Sequence, residues 1–159
     1  MRVLLDTSAL VAMMDGDDPA HRAARDAWAA MLAESTSLVL TNLVLVETLA
    51  VLRRRMGMDV VSAFCQRQLP LVELYAVETP LLLTAVDTWV AARRRDLSLV
   101  DVVSFLVMRR EGLSQVFTLD PHFAEQGFEC IPEGWRPRLH RADAVPPTAE
   151  PASTSPSPA

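Results

Sequence analysis

The chain contains no lysine; all 15 of its Lys/Arg residues are arginine. A phosphate-binding loop of the Gly-rich, Lys-containing kind is therefore excluded, and the glycine signature of such a loop is missing too. Cysteine is nearly absent: Cys65 and Cys130 stand far apart and without metal-ligand spacing. That argues against a disulfide framework or a thiolate metal site, and for a reducing, cytoplasmic setting. Aromatic residues make up only 6% of the chain, so the core has to rest on Leu, Val and Ala. No apolar run reaches the roughly 18 residues needed to cross a membrane, and the N-terminus meets Asp6 too early for a signal peptide.

What is there is a globular composition, half hydrophobic and 22% charged over 159 residues, which is one domain of ordinary size. The formal charge of −5, taken alone, argues against nucleic acid as a partner. The arginines, however, are grouped as Arg53-Arg54-Arg55, Arg93-Arg94-Arg95 and Arg109-Arg110. Guanidinium groups suit bidentate phosphate contacts. The same clusters also suit helix C-termini, where cations complement the dipole, and both uses stay open.

Short apolar segments alternate with longer helical ones. Strands are expected at Met1–Leu5, Ser37–Leu40, Leu71–Val77 and Gln115–Leu119, with a fifth, edge strand at Phe128–Ile131. Helices are expected at Ala9–Met14, at Pro19–Glu34 capped by Asp17 or Asp18, and from Thr41 or Asn42 to Met56. Further ones fall at Asp59–Gln68, from Thr79 to Arg95, from Ser98 to Glu111, and after Asp120-Pro121. Strands separated by helices imply a parallel sheet covered on both faces. Such sheets place their sites at the carboxyl ends of strands, where the strand order switches. Asp6 follows the first strand and Asp120 the fourth, so the two converge if those strands are neighbours. Residues 136–159, rich in Pro, Ala and Ser, are expected to be a disordered tail beyond a domain at 1–135.

Four carboxylates carry the chemical signal. Glu47 sits in Leu43-Val44-Leu45-Val46-Glu47-Thr48-Leu49-Ala50, a stretch apolar enough to be buried all round. An unpaired carboxylate is costly in such a place unless it binds a cation. Asp101 lies in a similar context, Leu99-Val100-Asp101-Val102-Val103, with Ser104 one turn on and able to orient a carboxylate or a water. Each acid has a structural use as well. Ser98-x-x-Asp101 reads as a capping box, and Asp6 and Asp120 read as helix N-caps. Like charges gathered in one cleft raise each other's pKa, and a divalent cation relieves the repulsion. Oxygen ligands without His or Cys point to Mg²⁺ or Mn²⁺. His21, His122 and His140 are not paired at ligand spacing, and Trp28 is a candidate for a subunit interface.

These residues together resemble the PIN-domain ribonucleases and, within them, the VapC toxins of type II toxin–antitoxin systems. The resemblance runs from Arg2 to about Cys130. It rests on Leu4-Leu5-Asp6-Thr7-Ser8, on the Glu47 helix, on Leu97-Ser98-Leu99-Val100-Asp101-Val102-Val103-Ser104-Phe105, and on Thr118-Leu119-Asp120-Pro121-His122-Phe123. It implies a three-layer α/β/α fold with a four- or five-stranded parallel sheet. It also implies endonucleolytic hydrolysis of RNA that leaves a 5′-phosphate and a 3′-hydroxyl. Asp6, Glu47, Asp101 and Asp120 would be the catalytic acids, Asp6 and Asp101 foremost among the Mg²⁺ or Mn²⁺ ligands. Thr7, Ser8, Ser104 and Thr118 would support them. A cognate antitoxin and a homodimer are the implied protein partners, with no membrane. Pro121 departs from the basic residue common in the family, and Val100 from a frequent Thr. A receiver domain would need a lysine, and a haloacid-dehalogenase-like phosphatase would need an Asp at position 8, which is Ser. The remaining alternative is a PIN-like module that binds RNA or protein without turnover.

Overall fold

Alternation along the strands decides the architecture. In β1 (Arg2–Leu5), Val3 and Leu5 enter one apolar cluster and Leu4 another, all three fully buried. β2 (Ser37–Thr41) divides its side chains in the same way, Leu38 and Leu40 against Val39. Strands buried on both faces need a helical layer on each. The computed structural model, which describes residues 1–134, supplies both layers. Helices α1 (Thr7–Met14), α2 (His21–Ala33), α3 (Asn42–Met56) and α4 (Met58–Arg67) cover the first face. Helices α5 (Thr79–Ala92), α6 (Leu99–Glu111) and α7 (Pro121–Glu125) cover the second. The three-layer α/β/α fold is the one expected; the tail at 136–159 lies outside the described residues.

With β3 (Glu73–Tyr75), β4 (Gln115–Phe117) and β5 (Glu129–Ile131), the sheet has five parallel strands in the order β3-β2-β1-β4-β5. The chain steps outward from β1 to β2 and β3, then returns to the other side of β1 for β4 and β5. Strand order therefore switches between β1 and β4, and a crevice opens above their carboxyl ends. Leu5 is in register with Phe117, and the Asp6 backbone N–H donates to the Phe117 carbonyl at 3.0 Å. Asp6 and Thr118 thus leave the sheet side by side.

Most elements stop and start where their capping chemistry says. Thr41 Oγ1 accepts from Val44 N at 3.1 Å to open α3, and Gly57, at φ 87°, ends it. Several expected boundaries move. α2 begins at His21, because Asp18 and Pro19 form the preceding turn: Asp18 Oδ1 accepts from Ala20 N, not from a helical N–H. α5 ends at Ala92, since Arg93 adopts the left-handed conformation at φ 51° and breaks the helix before Arg94 and Arg95. β3 is shorter than Leu71–Val77, as Leu69–Leu71 form a 3₁₀ turn around Pro70. α3 is not buried all round: Val44, Thr48 and Leu52 face the core while Val46 is 67% exposed. Trp28, the candidate for a subunit interface, faces the core. It is buried in its own chain, with its ring centroid 6.0 Å from that of Phe117.

Leu40 is fully buried in a central strand, whereas Leu83 on α5 is 58% exposed. Leu40→Ala should therefore cost about 2–5 kcal/mol in urea unfolding, and Leu83→Ala within about 0.5 kcal/mol. Equal losses would mean that the assigned core is wrong.

Candidate active site

Four separate segments bring acids to the crevice. Asp6 caps α1, and its hydrogen bonds all fall on Oδ2, which accepts from Ser8 N (3.1 Å), Ser8 Oγ (2.5 Å) and Thr118 Oγ1 (2.8 Å). The other oxygen is left to the cleft. Thr118 Oγ1 also accepts from Asp120 N at 2.9 Å, and Ser8 Oγ from Leu119 N at 2.9 Å. The two hydroxyls therefore tie the end of β1 to the loop after β4. Thr7 Oγ1 donates to Glu47 Oε2 at 2.6 Å and accepts from Thr48 Oγ1 at 3.3 Å, which holds Glu47 of α3 over the start of α1. Asp101 sits on the first turn of α6 in a complete capping box. Its Oδ2 accepts from Ser98 N at 2.8 Å, and Ser98 Oγ accepts from Asp101 N at 3.0 Å. Asp120 caps α7 through His122 N at 2.9 Å. The capping uses read from the sequence are real, and they coexist with the gathering of the acids.

All four acids line one cleft of about 410 Å³. Thr7 and Ser8 line it as well, while Thr118 acts from beneath, 2% exposed. Ser104, expected to support the acids, makes no hydrogen bond to them; its hydroxyl is fully buried. Arg54 and Arg55, from the last turn of α3, stand on the cleft wall. The acids are thus less isolated from cations than the linear order suggests, because seven or eight residues of helix, about two turns, bring these arginines round to Glu47's cleft. Arg94 points elsewhere, into ion pairs with Asp96 and Glu125.

The electrostatics are those of buried carboxylates standing near one another. Burial pushes the Asp6 carboxyl up to about 6; Ser8 and Thr118 oppose this, and the Asp101 charge adds to it. Asp101 is also raised, by burial and by Asp120, against the Ser98 bonds and His122. Two side chains were not foreseen. Asp18 lines the cleft as a fifth acid, hidden in sequence among the turn residues before α2. His122 brings a ligand atom to within 4.8 Å of ligand atoms of both Asp101 and Asp120, the closest such grouping among the described residues. In sequence its spacing to Asp101 means nothing; α6 and α7 meet only in the fold. Burial works against protonation of His122, but Asp96, Asp120 and Glu125 hold its pKa above the ordinary value.

The donor set suits a divalent cation. Carboxylates and hydroxyls are hard oxygen ligands, and burial raises the Asp6 and Asp101 carboxyls, a cost that a cation beside the charged form would offset. A family model described as "PIN domain" matches residues 3–129, which include all four acids.

The chain belongs to the PIN-domain family.

This PIN domain is 32% identical over 133 residues to the "23S rRNA-specific endonuclease VapC20" of Mycobacterium tuberculosis, covering 82% of this chain and 99% of that protein. The same protein from the H37Rv strain matches equally. The crystal structure of M. tuberculosis VapC20, described as a "Sarcin-Ricin loop cleaving toxin", superposes with a TM-score of 0.71 at 30% identity, covering 79% of this chain and 95% of that one.

A buried acid with a raised pKa binds its proton more tightly in the folded than in the unfolded chain. Its stabilising effect is full below the unfolded value of 3.8 and is lost as pH rises through about 6. Metal-free protein should therefore lose up to about 3 kcal/mol from this group between pH 4 and pH 7.5. Asp6→Asn keeps an oxygen for the three donors and carries no charge. Urea unfolding in EDTA should find the variant more stable than the wild type at pH 7.5 and nearly equal to it at pH 4. A less stable variant at pH 7.5 would show that Asp6 is ionised there without strain.

Proposed function

We propose that this PIN domain is the toxin of a toxin–antitoxin pair and hydrolyses RNA phosphodiester bonds with Mg²⁺ or Mn²⁺ as cofactor. In this reading Asp6, Glu47, Asp101 and Asp120 are the catalytic acids. The observation that carries it is the convergence of those four acids in one cleft with Arg54 and Arg55 on its wall. The similarity to VapC20 supports large-subunit ribosomal RNA as the substrate class.

A divalent cation held by Asp6, Glu47 and Asp101, with Asp120 beside them, would acidify a water and offset charge on the phosphoryl oxygens. The residues divide the remaining work. Asp6 gives one oxygen to the fold and keeps one for the site. Glu47 is oriented by Thr7, and whichever of the acids stays off the metal accepts a proton from the attacking water. Arg54 and Arg55 hold the flanking phosphates and fix the backbone for in-line attack. The water oxygen bonds to phosphorus, the P–O3′ bond breaks, and the departing 3′ oxygen takes up a proton. A 5′-phosphate results, and the RNA 2′-hydroxyl is not consumed.

The reading carries a cognate antitoxin, a homodimer and a cytoplasmic location with it. Among the described residues no helix is long and apolar enough to cross a membrane.

The deciding experiment incubates purified protein with 23S ribosomal RNA and with a mixed RNA pool, in Mn²⁺, in Mg²⁺ and in EDTA, beside Asp6→Asn and Asp101→Asn. Cleavage should need metal and fall by about 100-fold or more in each variant, the scale for losing a group that stabilises transition-state charge. Metal and RNA binding without turnover on either substrate would replace the enzyme with a binding module.

A further inference from the structure

His122 is placed as metal-bound histidines are placed. Its side chain is only 14% exposed, and Nε2 lies 3.0 Å from Asp96 Oδ2. Asp96 is held in turn by Arg94, whose Nη2 and Nε donate to its two oxygens at 2.8 and 3.2 Å. Arg94 Nη1 donates to Glu125 Oε2 at 2.9 Å, which fastens this support to α7. The ring is fixed from behind, and its other nitrogen faces inward. Nδ1 is buried, makes no directed hydrogen bond, and stands 2.7 Å from Asp120 Oδ1 as an electrostatic contact. Ligand atoms of Asp101, Asp120 and His122 already lie within 4.8 Å of one another. Around one small cation with bonds of about 2.1 Å, adjacent ligands are about 3.0 Å apart and opposite ones about 4.2 Å, so the His122–Asp120 pair at 2.7 Å has only to part slightly to admit one.

A carboxylate on the far nitrogen fixes the tautomer of a ligating imidazole and raises its basicity. Asp96 supplies that carboxylate, and nothing else in the proposed chemistry uses it. We propose that His122 Nδ1 is a ligand to the cation of this cleft beside Asp101 and Asp120, that Asp96 is its positioning residue, and that the nitrogen makes the site prefer Mn²⁺ to Mg²⁺. The inference rests on the cleft being a metal site. Mg²⁺ favours oxygen ligands and parts reluctantly with water, whereas Mn²⁺, in the transition series, gains more from an imidazole donor.

The test is pulsed EPR of the full chain loaded with Mn²⁺, together with calorimetric titration of Mn²⁺ and of Mg²⁺. The wild type should show coupling to a directly bound ¹⁴N, and His122→Gln and His122→Asn should lose it. Both variants should lose about 10-fold or more in Mn²⁺ affinity and much less in Mg²⁺ affinity, and Asp96→Asn should weaken Mn²⁺ about 10-fold, as losing a support behind a ligand does. Two variants at position 122 guard against a folding defect in one. If the wild type binds Mn²⁺, and Asp101→Asn abolishes that binding, but no ¹⁴N coupling is seen, the acidic metal site stands and His122 is not a ligand. Equal loss of Mn²⁺ and Mg²⁺ at position 122 also overturns the proposal. If the wild type binds neither ion, the metal-site reading falls and this inference with it.

Discussion

The pairing of β1 with β4 is the constraint on which the rest depends. Its register puts Leu5 beside Phe117 and therefore Asp6 beside Thr118. A slip of one residue would turn Val3 and Leu5 toward the wrong helical layer and separate Asp6 from Thr118 at the same stroke. Burial of the strand on both faces thus protects the geometry of the site. Ser8 and Thr118 then carry that order outward, because their hydroxyls also hold the backbone of Leu119 and Asp120.

The acids serve the fold and the cleft together. Asp6, Asp101 and Asp120 each satisfy backbone N–H groups at a helix start, which need partners in any case. A helix N-terminus also favours negative charge, so three helices aimed at one crevice make a crowd of carboxylates tolerable. The tolerance is incomplete. Asp6 is buried deeply enough that burial outweighs its hydrogen bonds, and its pKa rises. What remains is a demand for a cation, which is the physical link between this fold and a metal-dependent reaction.

The arginines resolve the apparent conflict between an acidic chain and a polyanionic substrate. Net charge describes the whole surface, whereas binding depends on where the charges lie. Arg54 and Arg55 end α3 and so complement its dipole, yet the helix also carries them to the wall of the acidic cleft. Arg94 shows the opposite outcome for a residue of the same type. Its guanidinium is spent on Asp96 and Glu125.

The alternation of apolar strands with longer helices was legible along the chain, because burial on two faces leaves continuous runs such as Val3-Leu4-Leu5 and Leu38-Val39-Leu40. The four acids were legible too, since a carboxylate in an apolar stretch or at a strand end stands out locally. Boundaries governed by turn geometry were not: Arg93 ends α5 through a backbone angle that its residue type does not announce. Ser104 looked like a partner for Asp101 by helical spacing alone. That spacing sets a face, and only packing decides what the face meets. Asp18 reached the cleft, and His122 reached Asp101, only by tertiary contact, because they come from segments whose separation in sequence says nothing of their distance in space. The sequence by itself determined the sheet, the layers and the acids, all of which follow from local pattern. The tertiary structure alone decided that His122 meets Asp101 and that Asp18 joins the cleft, because those contacts depend on how separate segments meet over one crevice.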